Sequence, residues 1–367
     1  MPKLLKTIDC LEKSHDIQGI VWDGVTRRRD LIRNIVDGQT FNVFNELTVK
    51  PTYKPTSTEV DGLVRPIDYI QVPSIENFHM QLHDNFRAVS LHDYVFPTES
   101  CLMHFNRQTL VIKPLLDKKS ITCMDVYRNY ILVGHEPNSV SLVDLESSKL
   151  LKTIKFGEDH QLINSIKFVD DRSGGLKVLV GGNNNAVELF DLEQSSSPIS
   201  RVPVDFFVNH IAISKDYRQA SFSYDAKHVD IIDLRTFEVT ATLHGHTDYT
   251  FAADYDGDGS QLATGNQDLT TRIWDIRKMQ QINMLPCRNS ASSYLKYMDS
   301  SRLLIVGESV SYISFYRTDV DYSLVSTIDY FGELVGIDVK HDQVIAGIGK
   351  KFNDVTSGIL RMKVGGK

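Results

Sequence analysis

The sequence predicts an all-β protein, a seven-bladed β-propeller preceded by a short, partly helical N-terminal extension. Three observations predict it. From about residue 86 onward, short apolar or alternating runs are separated by Gly, Asn, Asp and Ser clusters, the pattern of strands and turns. No convincing amphipathic helix appears in this stretch. An apolar-apolar-Asp ending recurs along it at the length of one four-stranded blade.

The chain of 367 residues is 41% hydrophobic and 24% charged, a globular balance that can bury a core and argues against wholesale disorder. Its formal net charge of -7 argues against a general nucleic-acid binder, which needs basic surface to displace phosphate counterions. No apolar run reaches about 18 residues, so no membrane span is expected. The opening MPKLLKTIDCLEKSHD lacks the apolar run of a signal peptide. Cys10, Cys101, Cys123 and Cys287 lie far apart, with no CxxC pair. They read as reduced thiols of a cytoplasmic and/or nuclear protein.

In chain order, residues 1–65 form the extension and 66–367 the propeller. Thr26 can cap a short helix through about Val36, with Ile32, Ile35 and Val36 on one face and Gly38 as its stop. KPTYKPTSTEVDG at 50–62 is a polar, Pro-containing loop. A propeller needs its first and last blades latched, and IENFHMQL could supply the closing strand, with FNVFNELTV at 41–49 as its rival. The blades follow. Register marks fall at Asn106, Asp144, Asp191, Asp233 and Asp275, and the last three steps are 47, 42 and 42 residues. Further steps reach Tyr316, where the Asp is missing, and Leu360. Seven marks make seven blades the economical reading.

Residues 243–277 read LHGHTDYTFAADYDGDGSQLATGNQDLTTRIWDIR, which resembles a WD40 repeat. Gly245-His246 stands at the GH position, Asp268 at the tight turn and Trp274-Asp275 at the WD position. In that family a Trp, a Ser or Thr, a His and an Asp form a hydrogen-bonded chain across the blade. The matching residues here are Trp274, Thr264, His246 and Asp268. Such groups are costly when buried alone and rigidifying when fully paired. Phe190, Ile232 and Val143 replace Trp elsewhere, so those blades resemble the family by period and pattern only. SHDIQGIVWDG, GNQDLTTRIWDIR and IDYFGELVGIDV together resemble one fungal and plant group of WD40 proteins with a DIQGI-x-W leader. A fungal relative is a substrate receptor of the GID ubiquitin ligase, so the resemblance implies an adaptor that can serve in such a complex.

Candidate chemistry is sparse. Asp254-Tyr-Asp256-Gly-Asp258-Gly259 imitates the start of a calcium loop, but Gly265 stands where the bidentate Glu is required, and a plain turn is expected. His79 and His83, with His92 following, lack the Glu of a zinc-protease motif, and edge-strand histidines are expected instead of a metal site. GIGKKF at 347–352 lacks the spacing of a phosphate loop. Arg27, Arg28, Arg29 and Arg33 read as a solvated helix face. No GxSxG, HExxH or Rossmann fingerprint appears, so neither an enzyme nor a cofactor is expected.

What remains is surface. Aligning the blades puts Glu136, Asn183, Asp225, Gln267 and Glu308 at matching turns around one mouth of the central channel. First-strand positions near the same rim are Asn164, Asn209, Phe251, Ser293 and Glu333. Carboxylates and amides around an apolar ring suit a peptide with a basic group. The expected function is a non-catalytic protein-interaction scaffold or adaptor, in its narrower form a ubiquitin-ligase substrate receptor. Its partners would be proteins or peptides, without membrane. The rival reading is a nucleic-acid- or chromatin-associated propeller using the Arg27–Arg33 segment.

Overall fold

The computed structural model describes residues 3–6, 18, 63–78, 84–118, 120–156, 161–170, 175–193, 197–349 and 357–365. The expected helix at 26–36, the rival strand at 41–49, the loop at 50–62, and His79 and His83 lie outside the described residues. Among the described residues the structure is all-β, in five four-stranded sheets and one eight-stranded sheet, all antiparallel.

Each four-stranded sheet is a meander built from consecutive strands. Sheet A holds Arg87–Ala88, Asp93–Pro97, Leu102–Asn106 and Val111–Leu116. Sheet B holds Ile121–Tyr127, Tyr130–His135, Ser139–Asp144 and Lys149–Lys155. Sheet C follows with Ile163–Val169, Lys177–Gly182, Ala186–Asp191 and Ser200–Pro203. Sheet D runs through Val208–Ile213, Gln219–Tyr224, His228–Asp233 and Glu238–His244. Sheet E runs through Thr250–Tyr255, Gln261–Asn266, Thr270–Asp275 and Gln280–Pro286. Sheet F opens with Ser292–Met298, Leu303–Glu308 and Val310–Arg317. Its strand Ser323–Lys340 pairs with Val310–Arg317 through its first half and with Gln343–Gly349 through its second. The first strands of successive sheets touch one another around a closed ring, and Glu333–Lys340 touches the first strand of sheet A.

The apolar core lies between neighbouring sheets. One cluster interleaves Leu179, Val187 and Leu189 of sheet C with Val208, Ile211 and Phe222 of sheet D, all buried. A second interleaves Phe96's neighbours in sheet A with Val335 and Ile345 of sheet F. No sheet can bury its own two faces, so each needs the next.

The register marks are turn caps. Asp144 Oδ1 accepts the backbone N–H of Glu146 at 2.8 Å, Asp191 Oδ1 that of Glu193 at 2.8 Å, Asp233 Oδ1 that of Arg235 at 2.8 Å and Asp275 Oδ1 that of Arg277 at 3.0 Å. Asn106 Oδ1 does the same for Thr109 at 3.0 Å. A short side-chain acceptor at the end of the third strand thus starts the turn to the fourth. Leu110, Ser148, Phe237 and Met279, each four residues later, have φ of 56, 54, 60 and 51°.

Among the described residues, the ring is closed by a different run. Val64–Gln71 pairs with the last strand, Gly358–Val364, and Lys3–Lys6 adds outside it. The boundary expected at 65/66 therefore falls inside the closing strand. Pro66 makes this run look like a breaker, but the register shifts between Pro66 and Asp68, so the missing N–H is absorbed at a bulge. Asp68 is only 2% exposed, because Arg361 Nη1 donates to its Oδ2 at 2.8 Å and Arg107 Nη2 at 3.0 Å. The latch is thereby tied to sheet A as well.

Candidate functional site

Every first strand begins at one end of the ring and runs toward the other, so the connections entering first strands share a rim with the second-to-third turns. Register shifts at Thr122, Asn164, Asn209, Phe251 and Ser293 mark one equivalent position per sheet on this rim. The equivalent in the second half of Ser323–Lys340 is Val335, two residues beyond Glu333.

Asn164 and Asn209 sit there as stitches. The Asn164 amide donates to Asn183 Oδ1 within its own sheet at 2.8 Å and to Val208 O of the next sheet at 2.9 Å. Asn209 repeats this with Asp225 Oδ1 at 2.8 Å and Thr250 O at 3.2 Å. Asn85 Nδ2 reaches Thr122 O at 3.1 Å between sheets A and B.

The expected acidic rim is largely consumed by such bonds. Glu136 is exposed, but Asp225 is half-buried on Asn209 and burial raises its carboxyl. Glu308 is 2% exposed and accepts the backbone N–H groups of Arg288, Asn289 and Ser290, each at 2.8 Å. Burial pushes its carboxyl up to about 7 against those three donors. Gln267 and Phe251 are buried, so Phe251 offers no apolar area to solvent. The exposed apolar pair is instead Phe206 and Phe207, 42% and 44% exposed, in the connection into sheet D. Phe207 O accepts the N–H of Asp225 at 3.0 Å, and Phe206 meets the His228 ring edge-on at 5.5 Å. Tyr249 lies close enough to Asp225 for that charge to help raise its hydroxyl, after burial. Two adjacent exposed phenylalanines after a polar strand were the signal available in the sequence.

The channel behind this rim is filled by charge. Asp84, buried, accepts from Arg87 Nη1 and Nη2 at 2.5 and 2.6 Å and from Lys167 Nζ at 2.9 Å, with His210 Nε2 3.7 Å away. These partners belong to sheets A, C and D, which only the central axis brings together. Burial opposes ionisation of Asp84, and Arg87, Lys167, Lys296 and His210 together hold its carboxyl well below the usual range. Asp125, Asp254 and Asp338 stitch sheets at mid-strand by accepting the N–H of Phe168, Tyr297 and Ala88 at 2.9, 2.7 and 3.0 Å. Residues 125, 167, 254, 296 and 338 are spaced by 42, 87, 42 and 42, a period visible in the sequence once the strands are known.

The four residues matched to the WD40 chain are brought together. Trp274 Nε1 donates to Thr264 Oγ1 at 2.8 Å, Thr264 Oγ1 lies 2.8 Å from His246 Nε2, and His246 Nδ1 lies 3.0 Å from Asp268 Oδ2. Read as donors, the indole serves the hydroxyl, the hydroxyl serves Nε2 and Nδ1–H serves the carboxylate, which requires neutral His246. Burial lowers the His246 pKa accordingly. Gly245 sits at φ 154°, a backbone conformation L side chains rarely adopt, and a Cβ there would press within 3.3 Å of the Trp274 ring.

The remaining candidates resolve into structure. Asp254 serves the next sheet, while Asp256 and Asp258 accept the N–H groups of Gln261 and Ser260 at 3.0 and 2.9 Å, capping a turn. Burial pushes the Cys123 thiol up to about 12 and raises Cys287, so neither is a thiolate near neutral pH.

No family model matches the chain. It is 28% identical over 156 residues to Protein groucho of Drosophila melanogaster, covering 41% of this chain and 20% of that protein. The chain thus spans about a fifth of that relative's length. A chain in the crystal structure of the mitotic checkpoint complex matches with a TM-score of 0.70 at 15% identity, over 87% of this chain and 98% of its own.

Proposed function

We propose that this WD40-type β-propeller is a non-catalytic protein-interaction adaptor, whose rim at the Phe206–Phe207 connection holds a peptide segment of a partner. The carrying observation is that two phenylalanines stand more than 40% exposed beside Asp225 and Tyr249, on a scaffold where the rim groups Asn164, Asn209 and Glu308 are committed to internal bonds. Exposed aromatic area next to a partly desolvated carboxylate suits an apolar residue flanked by Lys, Arg or a free α-amino group. A chain of the same fold stands in a multi-protein complex, which supports the adaptor reading.

Seven blades is the count this reading adopts. Its support is that sheet F divides at Glu333 into two blades sharing one long strand, with five further sheets beside it. The narrower form of the function is a ubiquitin-ligase substrate receptor. In its favour, the DIQGI leader meets the YFG segment: Gln18 Nε2 donates to Phe331 O at 2.9 Å and Phe331 N–H to Gln18 Oε1 at 2.6 Å. The two motifs of the resembled group thus form one contact.

Affinity purification of the full chain from native cells tests the proposal. Phe206→Ser with Phe207→Ser, and separately Asp225→Asn with Glu136→Gln, should lose partners while the melting temperature stays near the parent's. Truncating one desolvated member of a charge pair typically costs about 2–5 kcal/mol of binding. Ligase subunits among the captured proteins support the narrower form. Retention of every partner by both folded variants moves the site elsewhere.

A further inference from the structure

Two histidines stand side by side at the rim end of sheet D. His228 opens the third strand, His244 closes the fourth, and the register pairs them directly. Directly opposed side chains rise from the same face of a sheet, with Cβ atoms about 4.5–5.5 Å apart. The two ring centres here are 6.0 Å apart. His228 is half-buried and clamped, with the Phe206 ring edge-on at 5.5 Å and the Tyr224 ring at 5.4 Å. His244 is exposed. Among the described residues both imidazoles make ring contacts and no hydrogen bond, so their nitrogen lone pairs stay open to a ligand. Asp230, the next residue along the same face of the third strand, is already taken: its Oδ1 accepts from Thr242 at 2.7 Å and its Oδ2 from Tyr224 at 3.1 Å. All of these residues lie in the described stretch 197–349.

We propose that His228 and His244 chelate a divalent transition-metal ion of borderline softness, of which Zn²⁺ is the type. Imidazole suits such ions, whereas Mg²⁺ and Ca²⁺ take oxygen ligands. Among the described residues no three His, Cys, Asp or Glu side chains gather to hold a metal, so water fills the remaining positions. Two imidazoles on one tetrahedral ion, at bonds of about 2.0–2.1 Å, hold their ring centres about 5 Å apart. Exposed His244 closes the remaining distance of about 1 Å by turning about its own side-chain bonds, while His228 stays where Phe206 and Tyr224 hold it. The bound ion ties the third strand of sheet D to the fourth and fixes the ring on which Phe206 leans. The chelate does not rest on peptide binding at that rim.

The experiment is an NMR titration of the full chain with ring-labelled histidine, adding Zn²⁺ in a buffer that does not chelate. Signals of His228 and His244 are assigned from His228→Asn and His244→Asn. The proposal requires both ring signals to shift along one saturable curve. His244→Asn should weaken the His228 response by about tenfold or more, at least what the loss of an outer-shell partner costs a metal site. Mg²⁺ at the same concentrations should leave both rings unmoved. Because His244 is exposed, its replacement is the decisive variant, with a melting temperature near the parent's as the check on folding. A shift of one ring without the other, an undiminished His228 response in folded His244→Asn, an equal response to Mg²⁺, or no shift up to about 1 mM Zn²⁺ overturns the proposal. None of these outcomes depends on whether the rim variants lose partners.

Discussion

Replacing Asp84 by Asn keeps the shape of the side chain and removes the charge on which the channel converges. The parent carboxylate takes two N–H groups of Arg87 within 2.6 Å and Lys167 Nζ at 2.9 Å, with all three side chains at least 85% buried. In the variant, Arg87 and Lys167 stay near the axis with a neutral amide that must turn its own NH₂ toward one of them. Removing one partner of a buried pair typically costs about 3–5 kcal/mol, because the other charge is left uncompensated. At about 1.5–2.5 °C per kcal/mol for a chain of this size, melting should fall by about 5–12 °C. The pH dependence has a definite sign. Asp84 is held below its unfolded value, so its contribution is complete above about pH 4 and fades as pH falls toward its folded pKa. The gap between parent and variant should therefore be full at pH 7 and narrow below pH 4, as read by calorimetry across that range. A variant melting within 1–2 °C of the parent at pH 7 would refute the reasoning, and the charged channel would then be a bystander to stability.

Other expectations are as definite. His246→Ala removes one buried hydrogen-bond partner from each of Asp268 and Thr264, at a cost of about 1–3 kcal/mol in thermal or denaturant unfolding; unchanged stability would mean that the chain from Trp274 to Asp268 does not act as a unit. His210, faced by Asp84, Lys167 and Lys296, is pulled to about 4 by burial and so stays neutral in the fold while the unfolded chain protonates near 6.5. Stability should fall by about 3 kcal/mol as pH drops from 6.5 to 4, and His210→Gln should flatten that slope relative to the parent. Met279→Gly relieves a left-handed residue in an exposed turn and should stabilise by about 0.5 kcal/mol, the net of relieved strain and added chain entropy, in denaturant melts.

The blades were legible because the turn cap is a chemical necessity that recurs. A short acceptor must follow the third strand, so Asn106, Asp144, Asp191, Asp233 and Asp275 print the period into the text. The left-handed residues of the same turns were illegible, since Leu110, Ser148, Phe237 and Met279 carry no glycine signal. The closing strand was hidden by Pro66 and by Asp68, a charge that belongs in an interior only because Arg361 and Arg107, distant in sequence, meet it. At the rim, Asn164 and Asn209 stand at equivalent register positions, whereas Phe251 and Glu308 are buried. Register follows from spacing within the chain. Exposure depends on the neighbouring loop, and the N–H groups that draw Glu308 inward leave no mark on Glu308 itself.

The latch between Val64–Gln71 and Gly358–Val364 also sets a timetable for synthesis. Arg361 bonds to Asp68 across 293 residues, so on the ribosome the closing strand waits through the synthesis of the whole ring before its partner exists. At about 5–20 residues per second that interval is roughly 15–60 s. Through it, the strand's apolar side chains and unpaired backbone edge stand open to competing chains. Chaperone dependence during translation, and ready exchange of this strand between copies when the last strand is lost, would follow from that delay alone.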